Sequence, residues 1–304
     1  MMNNWSRRDV IKAGAALGAL PGLAMANSTE RMLTKAIPAT GEPLPVVGLG
    51  TYNVFDVNST TDQIATRKEI VERLVSAGGS LLDTSPMYNR SEKVIGDVID
   101  AGVNREKLFL ATKVWTDGRD AGISQMKRSA DLMNTDVMDL MQVHNLRDTA
   151  VHMKSIRELQ EAGQSRYSGL THYTAGAQAA LGREMQTFKP DFIQINYSLG
   201  EREAEQNVLP LAQELGIAVL INRPFQAGRL FSAISGQELP GFARDYADSW
   251  GQFFLKFIIS HPAVTCAIPA TSKPHHMADN LGAGFGNMPD ASMRQRMADY
   301  FENL

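Results

Sequence analysis

Three side chains that can handle a proton occur at nearly equal intervals along the chain. Asp83 ends the apolar run SLLD, Lys113 ends LFLATK 30 residues later, and His144 ends VMDLMQVH after another 31. A barrel of eight β/α units needs roughly 30 residues per unit, and every strand points its C-terminal end at the same rim. We therefore expect Asp83, Lys113 and His144 to meet at one site, as the residues of an active site would.

A phenol close to these residues completes a set suited to carbonyl chemistry. Tyr88 follows Asp83 by five residues, and a free tyrosine titrates near ~10. A nearby ammonium favours the phenolate, so Lys113 is predicted to lower the pKa of Tyr88 toward working pH while Asp83 keeps Lys113 charged and oriented. Tyr88 can then donate the proton and His144 can bond the substrate oxygen. Reduction of a carbonyl needs a hydride as well as a proton. Because no side chain donates hydride, a nicotinamide cofactor is implied.

Eight apolar runs alternate with segments of helical periodicity from Val46 onward. Each run is continuously apolar, as strands of a parallel sheet covered by helices must be. The alternation predicts an α/β protein with a single (β/α)8 TIM barrel domain and a C-terminal closing helix within residues 287–304. The long connection from Phe225 to about Ala243 is predicted to cover the substrate. The runs end at Thr51, Asp83, Lys113, His144, Thr171, Asn196, Pro224 and Pro269.

The N-terminus carries a separate signal. The string SRRDVIK at residues 6–12 precedes a weakly apolar stretch, and Ala24-Met25-Ala26 offers the small residues that a signal peptidase reads. Residues 1–26 resemble a twin-arginine signal peptide, so we expect recognition by the twin-arginine export machinery and a periplasmic location. The apolar stretch is too short to span a bilayer, which predicts no stable membrane insertion. Residues 27–45 are predicted to form a spacer and a hairpin at the barrel bottom, and residues 46–304 the barrel.

Charge and cysteine content exclude several classes of protein. The net charge is −3 and no block of basic residues occurs, so nucleic acid is not an expected partner. The one cysteine, Cys266, cannot form an internal disulfide. His275 and His276 are adjacent and cannot chelate from one helix face, and without a cysteine pair no metal site is predicted.

Longer motifs around the reactive residues resemble a known family. Asp83 and Tyr88 lie in DTSPMYNRSE, Lys113 lies in TKVW, and His144 lies in QVHN. In this order and on these elements, the motifs resemble those of the aldo-keto reductases over roughly residues 44–282. The resemblance implies reduction of a small-molecule carbonyl, or oxidation of an alcohol, with NADP(H), and it gives Asp83, Tyr88, Lys113 and His144 the catalytic roles.

The resemblance also implies contacts to the nicotinamide, with departures from the family pattern. Gln194 matches the glutamine that holds the carboxamide. Thr171 and His172 stand where the family has Ser-Asn for the same group, so His172 would replace the asparagine. Asn222, followed by Arg223, occupies the position of the aromatic residue that stacks on the nicotinamide.

The segment that would hold the adenosine phosphate departs from the family too. Ala270 stands where a lysine is common, and His276 where an arginine is common, which leaves Lys273 as the fixed cation. We expect a modest preference for NADPH that strengthens as His276 is protonated near its usual pKa of ~6.5. Two alternatives stay open: an NAD(H)-preferring sugar or alcohol dehydrogenase, and a catalytically idle barrel that binds a nucleotide. The implied contacts here are Thr271, Ser272, Lys273, His276 and Asn280.

Overall fold

The chain as described by the computed structural model, residues 31–304, opens with a two-stranded antiparallel hairpin. Strand β1 (Thr34–Ala36) pairs with β2 (Pro43–Pro45). The signal peptide expected over residues 1–26 lies outside the described residues, as do the first residues of the spacer.

Eight parallel strands follow, and each one pairs with the next along the chain. Isolated parallel bridges join Val47 to Ala267 and Gly50 to Ala270, so the last strand meets the first. The predicted (β/α)8 barrel is therefore confirmed. Its strands are β3 (Leu49–Gly50), β4 (Leu81–Asp83), β5 (Phe109–Val114), β6 (Met138–His144), β7 (Ser165–Thr171), β8 (Phe192–Asn196), β9 (Ala218–Asn222) and β10 (Cys266–Ala267).

The hairpin closes the N-terminal end of the barrel. Its side chains Ile37 and Leu44 are buried in one cluster with Phe109, Tyr167 and Phe192, which lie at or near the first residues of β5, β7 and β8. The three rings pack with centroids 5.3–5.9 Å apart. This apolar plug fills the bottom of the barrel, so the opposite, C-terminal rim is the end that remains open.

Helices alternate with the strands and surround the sheet. The final helix is the predicted closing helix, and Arg294 in it donates to Tyr197 Oη at 2.5 Å and to Glu205 at 2.8 Å. The helices are α1 (Thr61–Ser76), α2 (Ser91–Asp100), α3 (Arg119–Leu132), α4 (Thr149–Glu161), α5 (Gln178–Phe188), α6 (Val208–Leu215), α7 (Arg229–Ala233), α8 (Trp250–Ile259), α9 (Pro274–Gly282) and α10 (Ala291–Glu302).

Burial on both faces explains why the strands appear in the sequence as continuous apolar runs. Every residue of β5 and β6 is buried, because helices cover the outside and side chains fill the inside. The polar exceptions are therefore informative. Lys113, Gln142 and His144 are buried within these two strands, and each needs a compensating partner.

The long connection after β9 reaches the open rim. It contains a short turn at Gln226–Gly228 and helix α7, and its residues Phe225, Ala227 and Phe231 line the cavity described below. Among residues 31–304, no helix has both the length and the apolar character needed to cross a membrane.

Candidate active site

Lys113 and Asp83 form a buried ion pair inside the barrel. Lys113 is 0% exposed, and its Nζ donates to Asp83 Oδ1 at 2.6 Å and to the carbonyl of Thr84 at 2.7 Å. Burial disfavours the ammonium, but Asp83 and Tyr88 outweigh it and hold the pKa of Lys113 above its usual value. A fixed positive charge therefore lies just beneath the C-terminal rim.

Tyr88 lies above this pair, in the loop between β4 and α2. Lys113 Nζ is 5.2 Å from the centre of its ring, and the rings of Tyr52 and His144 meet it edge-on. Burial raises the pKa of Tyr88, and the charge of Lys113 opposes that rise without reversing it. The expectation that Lys113 brings the pKa of Tyr88 down toward neutrality is thus wrong in net direction, because desolvation of the phenol is the larger effect.

His144 ends β6 and lies close to the same point. Its Nδ1 is 3.1 Å from Ser85 Oγ. Burial, then the positive charge of Lys113, lowers the pKa of His144 to about 3, so the ring is neutral at ordinary pH. When the Ser85 hydroxyl donates to Nδ1, the ring proton lies on Nε2, the form that donates to a carbonyl oxygen.

Two glutamine side chains hold the other oxygen of Asp83. Gln194 Nε2 donates to Asp83 Oδ2 at 2.7 Å, and Gln142 Nε2 donates to the same oxygen at 3.1 Å. Gln194 Oε1 in turn accepts from Thr171 Oγ1 at 3.4 Å and from Asn222 Nδ2 at 3.3 Å. The ion pair is thus connected by hydrogen bonds to the residues that the family resemblance implies for the nicotinamide.

Asp83, Tyr88, His144 and Gln194 line one end of a cavity of about 1040 Å³. The cavity extends from Asp83 and Tyr88 to His276, Asp279 and Asn280 of α9. Most of the predicted site residues line it, whereas Lys113, His172, Ser272 and Lys273 do not. The predicted residues in its wall are Asp83, Tyr88, His144, Thr171, Gln194, Asn222, Arg223, Thr271, His276 and Asn280.

His172 is used locally and does not line the cavity. Its Nδ1 accepts from the backbone N–H of Tyr173 at 3.0 Å and is 3.3 Å from that of Thr174, so the ring caps its own turn. The ring also stacks on Tyr173 with centroids 5.5 Å apart. His172 Nδ1 is therefore not available to a carboxamide, and the replacement of the family's asparagine by His172 stays a prediction that depends on Nε2. Asn222 fits better, because its buried Oδ1 has no hydrogen-bond partner among the described residues.

The far end of the cavity carries little positive charge. His276 is in the wall, but burial, then His275 and Lys273, lowers its pKa below the usual 6.5. Lys273 stands at the N-terminus of α9 without lining the cavity. Asp279 does line it, with its carboxylate bonded to Ser249 Oγ at 2.8 Å.

Several residues that line the cavity were not predicted from the sequence. Five exposed apolar side chains surround the open rim of the cavity: Tyr52, Met87, Trp115, Tyr173 and Phe231. A single sequence carries no signal for them, because isolated exposed aromatic residues occur on most protein surfaces.

Gln142, Asn145 and Asp279 were missed as well. Gln142 had a usable signal, since it precedes His144 by two residues on a strand and so shares its face. Asn145 lines the cavity, and its buried Oδ1 has no partner within the described part of the chain. Among residues 31–304, no three His, Cys, Asp or Glu side chains converge as a metal site would require.

Sequence and structure comparisons place this barrel among known proteins. Residues 46–297 match the sequence model of the aldo/keto reductase family, and the chain belongs to that family. It is 30% identical over 259 residues to methylglyoxal reductase YeaE of Escherichia coli (strain K12). The aligned region covers 82% of this chain and 89% of that protein. It is 24% identical to glyoxal reductase of Bacillus subtilis (strain 168), over 79% of this chain and 83% of that protein.

Solved structures show the same fold. An aldo-keto reductase from Klebsiella pneumoniae in complex with NADPH superposes with a TM-score of 0.75 at 22% identity, over 90% of this chain and 95% of that one. A second aldo/keto reductase structure from Klebsiella pneumoniae, in complex with NADP and acetate, superposes with a TM-score of 0.73 at 23% identity. The superposition covers 86% of this chain and 93% of that one.

The low pKa of His144 predicts a specific dependence of stability on pH. The folded pKa is about 3, against 6.5 for an unperturbed histidine. The unfolded chain binds this proton first, so the folded state should lose stability as pH falls below ~6.5, by about 1.4 kcal/mol per pH unit from this group. His144→Gln should remove that part of the slope, measured by urea unfolding between pH 7 and pH 5. His275→Gln, at an exposed histidine, is the control. Equal slopes for wild type and His144→Gln would contradict the assignment.

Proposed function

We propose that this protein reduces an aldehyde or a ketone to an alcohol with hydride from NADPH. The observation that carries the proposal is the convergence of Tyr88, His144 and the Lys113–Asp83 pair at one end of a cavity of about 1040 Å³. The cavity has room for a dinucleotide together with a small substrate. Membership of the aldo/keto reductase family supports the same reaction.

The residues at the rim fit a nicotinamide carboxamide. Asn222 Oδ1 is a buried acceptor that has no donor among residues 31–304, and a carboxamide N–H is the group that would satisfy it. Thr171 and Gln194 lie beside it and would hold the same group. The nicotinamide cofactor, when bound, supplies the hydride. Asn222 offers no ring, so the nicotinamide would be held here by hydrogen bonds from this edge.

The protein's own residues supply and control the proton. The high pKa of Tyr88 keeps its phenol protonated at neutral pH, so Tyr88 is ready to give a proton to the oxygen of the substrate. Lys113 then stabilises the resulting phenolate, and Asp83 keeps Lys113 in place. Neutral His144 donates from Nε2 to the same substrate oxygen and fixes its direction. This arrangement favours reduction near neutral pH and alcohol oxidation only at higher pH.

We infer that the substrates are small activated aldehydes. The two relatives named above are called methylglyoxal reductase and glyoxal reductase. Methylglyoxal and glyoxal, the compounds in these names, are both 2-oxoaldehydes. Asn145 adds an amide next to His144 whose buried oxygen has no partner in the described chain. An acceptor oxygen of this kind is suited to a hydroxyl donor, such as a hydroxyl of a hydrated 2-oxoaldehyde.

The adenosine end favours a second candidate, an enzyme that uses NADH nearly as well. Ala270 provides no charge, His276 is neutral at pH 7 because its pKa is lowered, and Asp279 places a carboxylate in the wall. A 2′-phosphate needs charge-assisted donors. Lys273, with the hydroxyls of Thr271 and Ser272 and the amides at the start of α9, remains to supply them.

We expect Tyr88→Phe to lower kcat for methylglyoxal with NADPH by roughly 10²–10⁴-fold, because the proton donor is lost while the ring is kept. Lys113→Met should abolish activity or move the pH optimum upward, since the charge that opposes the high pKa of Tyr88 is gone. Tyr300→Phe, which removes the hydroxyl of a tyrosine on α10 outside the cavity wall, is the matched control. A loss below tenfold in folded Tyr88→Phe would remove Tyr88 from its role.

We expect a modest, salt-sensitive preference for NADPH over NADH. Lys273→Ala should weaken NADPH binding by roughly three- to tenfold and leave NADH nearly unchanged. Because the pKa of His276 is lowered, the preference should increase only below pH ~6.5. Fluorescence titration of both cofactors at pH 7.5 and 5.5, each at two salt concentrations, measures this. Equal losses for both cofactors would show that the phosphate lies elsewhere.

We further propose that the twin-arginine route exports the protein to the periplasm. The support is the string SRRDVIK at residues 6–12 with Ala24-Met25-Ala26 behind it. Since this route carries folded proteins, a cofactor bound in the cytoplasm would travel inside the barrel.

Replacement of Arg7 and Arg8 by lysines keeps the charge and changes only what the export receptor reads. We expect this variant to stay in the cytoplasm with its leader uncleaved, as judged by cell fractionation and N-terminal sequencing. Arg31→Lys, at an arginine outside the leader, should be exported normally. Mature protein beginning near Asn27 in the periplasm of the Lys-Lys variant would contradict the assignment.

A further inference from the structure

Gln142 is a polar side chain fully enclosed in the barrel, and its two closest hydrogen bonds join it to Asp83 and to Gln194, which itself bonds Asp83. Its Nε2 donates to Asp83 Oδ2 at 3.1 Å and lies 3.5 Å from the carbonyl of Thr112. Its Oε1 accepts from Gln194 Nε2 at 3.2 Å. A buried amide is costly unless it is bonded in this way, so the contacts account for the presence of Gln142 but leave its use open.

The neighbouring strand is shaped to admit this side chain. Gln142 on β6 is the register partner of Gly169 on β7. A Cβ atom at position 169 would lie 2.7 Å from Gln142 Cγ and 3.2 Å from Leu140 Cδ1. Glycine weakens a strand interior and often marks a close approach, and here the approaching group is Gln142.

The two amides that hold Asp83 differ in where they stand. Asp83 Oδ1 is taken by Lys113, and Oδ2 accepts from both Gln194 and Gln142. Gln194 lines the cavity, where it is also bonded at its oxygen by Thr171, whereas Gln142 does not line the cavity. A ligand in the cavity can therefore compete for Gln194 but cannot reach Gln142.

We propose that Gln142 is a positioning residue for the proton donor, which fixes the Asp83 carboxylate on Lys113 whatever occupies the cavity. This inference rests on the proposed function, in which Tyr88 donates the proton. Gln142 touches neither Tyr88 nor the cavity, so it acts on Tyr88 through Asp83 and Lys113, and its bond from Gln194 is its other link to the site. It keeps one amide on the carboxylate while Gln194 serves the carboxamide end of the site.

The sign of the effect follows from the groups that face Tyr88. These are Lys113 from β5, Asp83 from β4, His144 from β6, and Tyr52 from the loop after β3. The charge of Asp83 raises the pKa of Tyr88, and that of Lys113 lowers it. Loss of the Gln142 amide leaves more of the carboxylate charge uncompensated and loosens its hold on Lys113. Both changes raise the pKa of Tyr88.

The test is a titration of the Tyr88 phenol in the full chain, by NMR of protein labelled with ¹³C at tyrosine Cζ. The chain has seven tyrosines, and Tyr88→Phe identifies the Tyr88 signal. In Gln142→Met we expect the pKa of Tyr88 to rise by roughly half a unit, and kcat at pH 7 to fall roughly threefold, while the Kd for NADPH changes less than about twofold. Gln142→Leu is a second variant should Gln142→Met fold poorly.

The matched control is Gln178→Met, which removes a buried glutamine bonded to Asn196 away from the cavity. It should leave the Tyr88 titration and the activity unchanged. Gln194→Met should both raise the pKa of Tyr88 and weaken NADPH binding, which separates the two amides.

An unchanged Tyr88 titration in both folded Gln142 variants would overturn the inference, as would an equal shift in Gln178→Met. The titration needs neither cofactor nor turnover. If the wild type reduced no carbonyl while Gln142→Met still shifted the pKa of Tyr88, the proposed function would fail, but the coupling between Gln142 and Tyr88 would stand. If the wild type were active and the pKa of Tyr88 were unchanged in the Gln142 variants, only the role of Gln142 would fail.

Discussion

An ammonium group buried inside the barrel is the constraint on which the whole site depends. An isolated charge at Lys113 would cost several kcal/mol, and Asp83 with the carbonyl of Thr84 offsets that cost. The second oxygen of the carboxylate then requires donors of its own, which Gln142 and Gln194 provide. The buried lysine thus calls for the carboxylate, and the carboxylate calls for the two amides.

The one charge affects its two neighbours in different ways. Beside Tyr88 it opposes a rise in pKa that burial causes, and at His144 it adds to a fall that burial causes. Both side chains are consequently uncharged at neutral pH, so two neutral donors stand near one fixed cation. A shared environment that keeps titratable groups in distinct protonation states is how a single site assigns its acid and its base.

Sequence spacing was sufficient to predict the fold and the convergence of Asp83, Lys113 and His144, because parallel strands repeated every ~30 residues in a barrel must end at one rim. It could not show that the backbone N–H groups of the next two residues approach His172 Nδ1, since that depends on how one turn closes. It also gave the wrong net direction for the pKa of Tyr88. That direction depends on how completely the phenol is enclosed, which is a tertiary property.

The close approach of Gln142 to Gly169 has a consequence for how this sequence can change over time. A methyl group at position 169 would meet the glutamine stem at 2.7 Å, so Gln142 would have to shift before a side chain could be admitted there. A lineage would enlarge position 169 with less strain after it had shortened position 142, and it would regain the glutamine with less strain after it had restored the glycine. The two codons therefore bias each other's order of substitution, in natural descent as in laboratory selection.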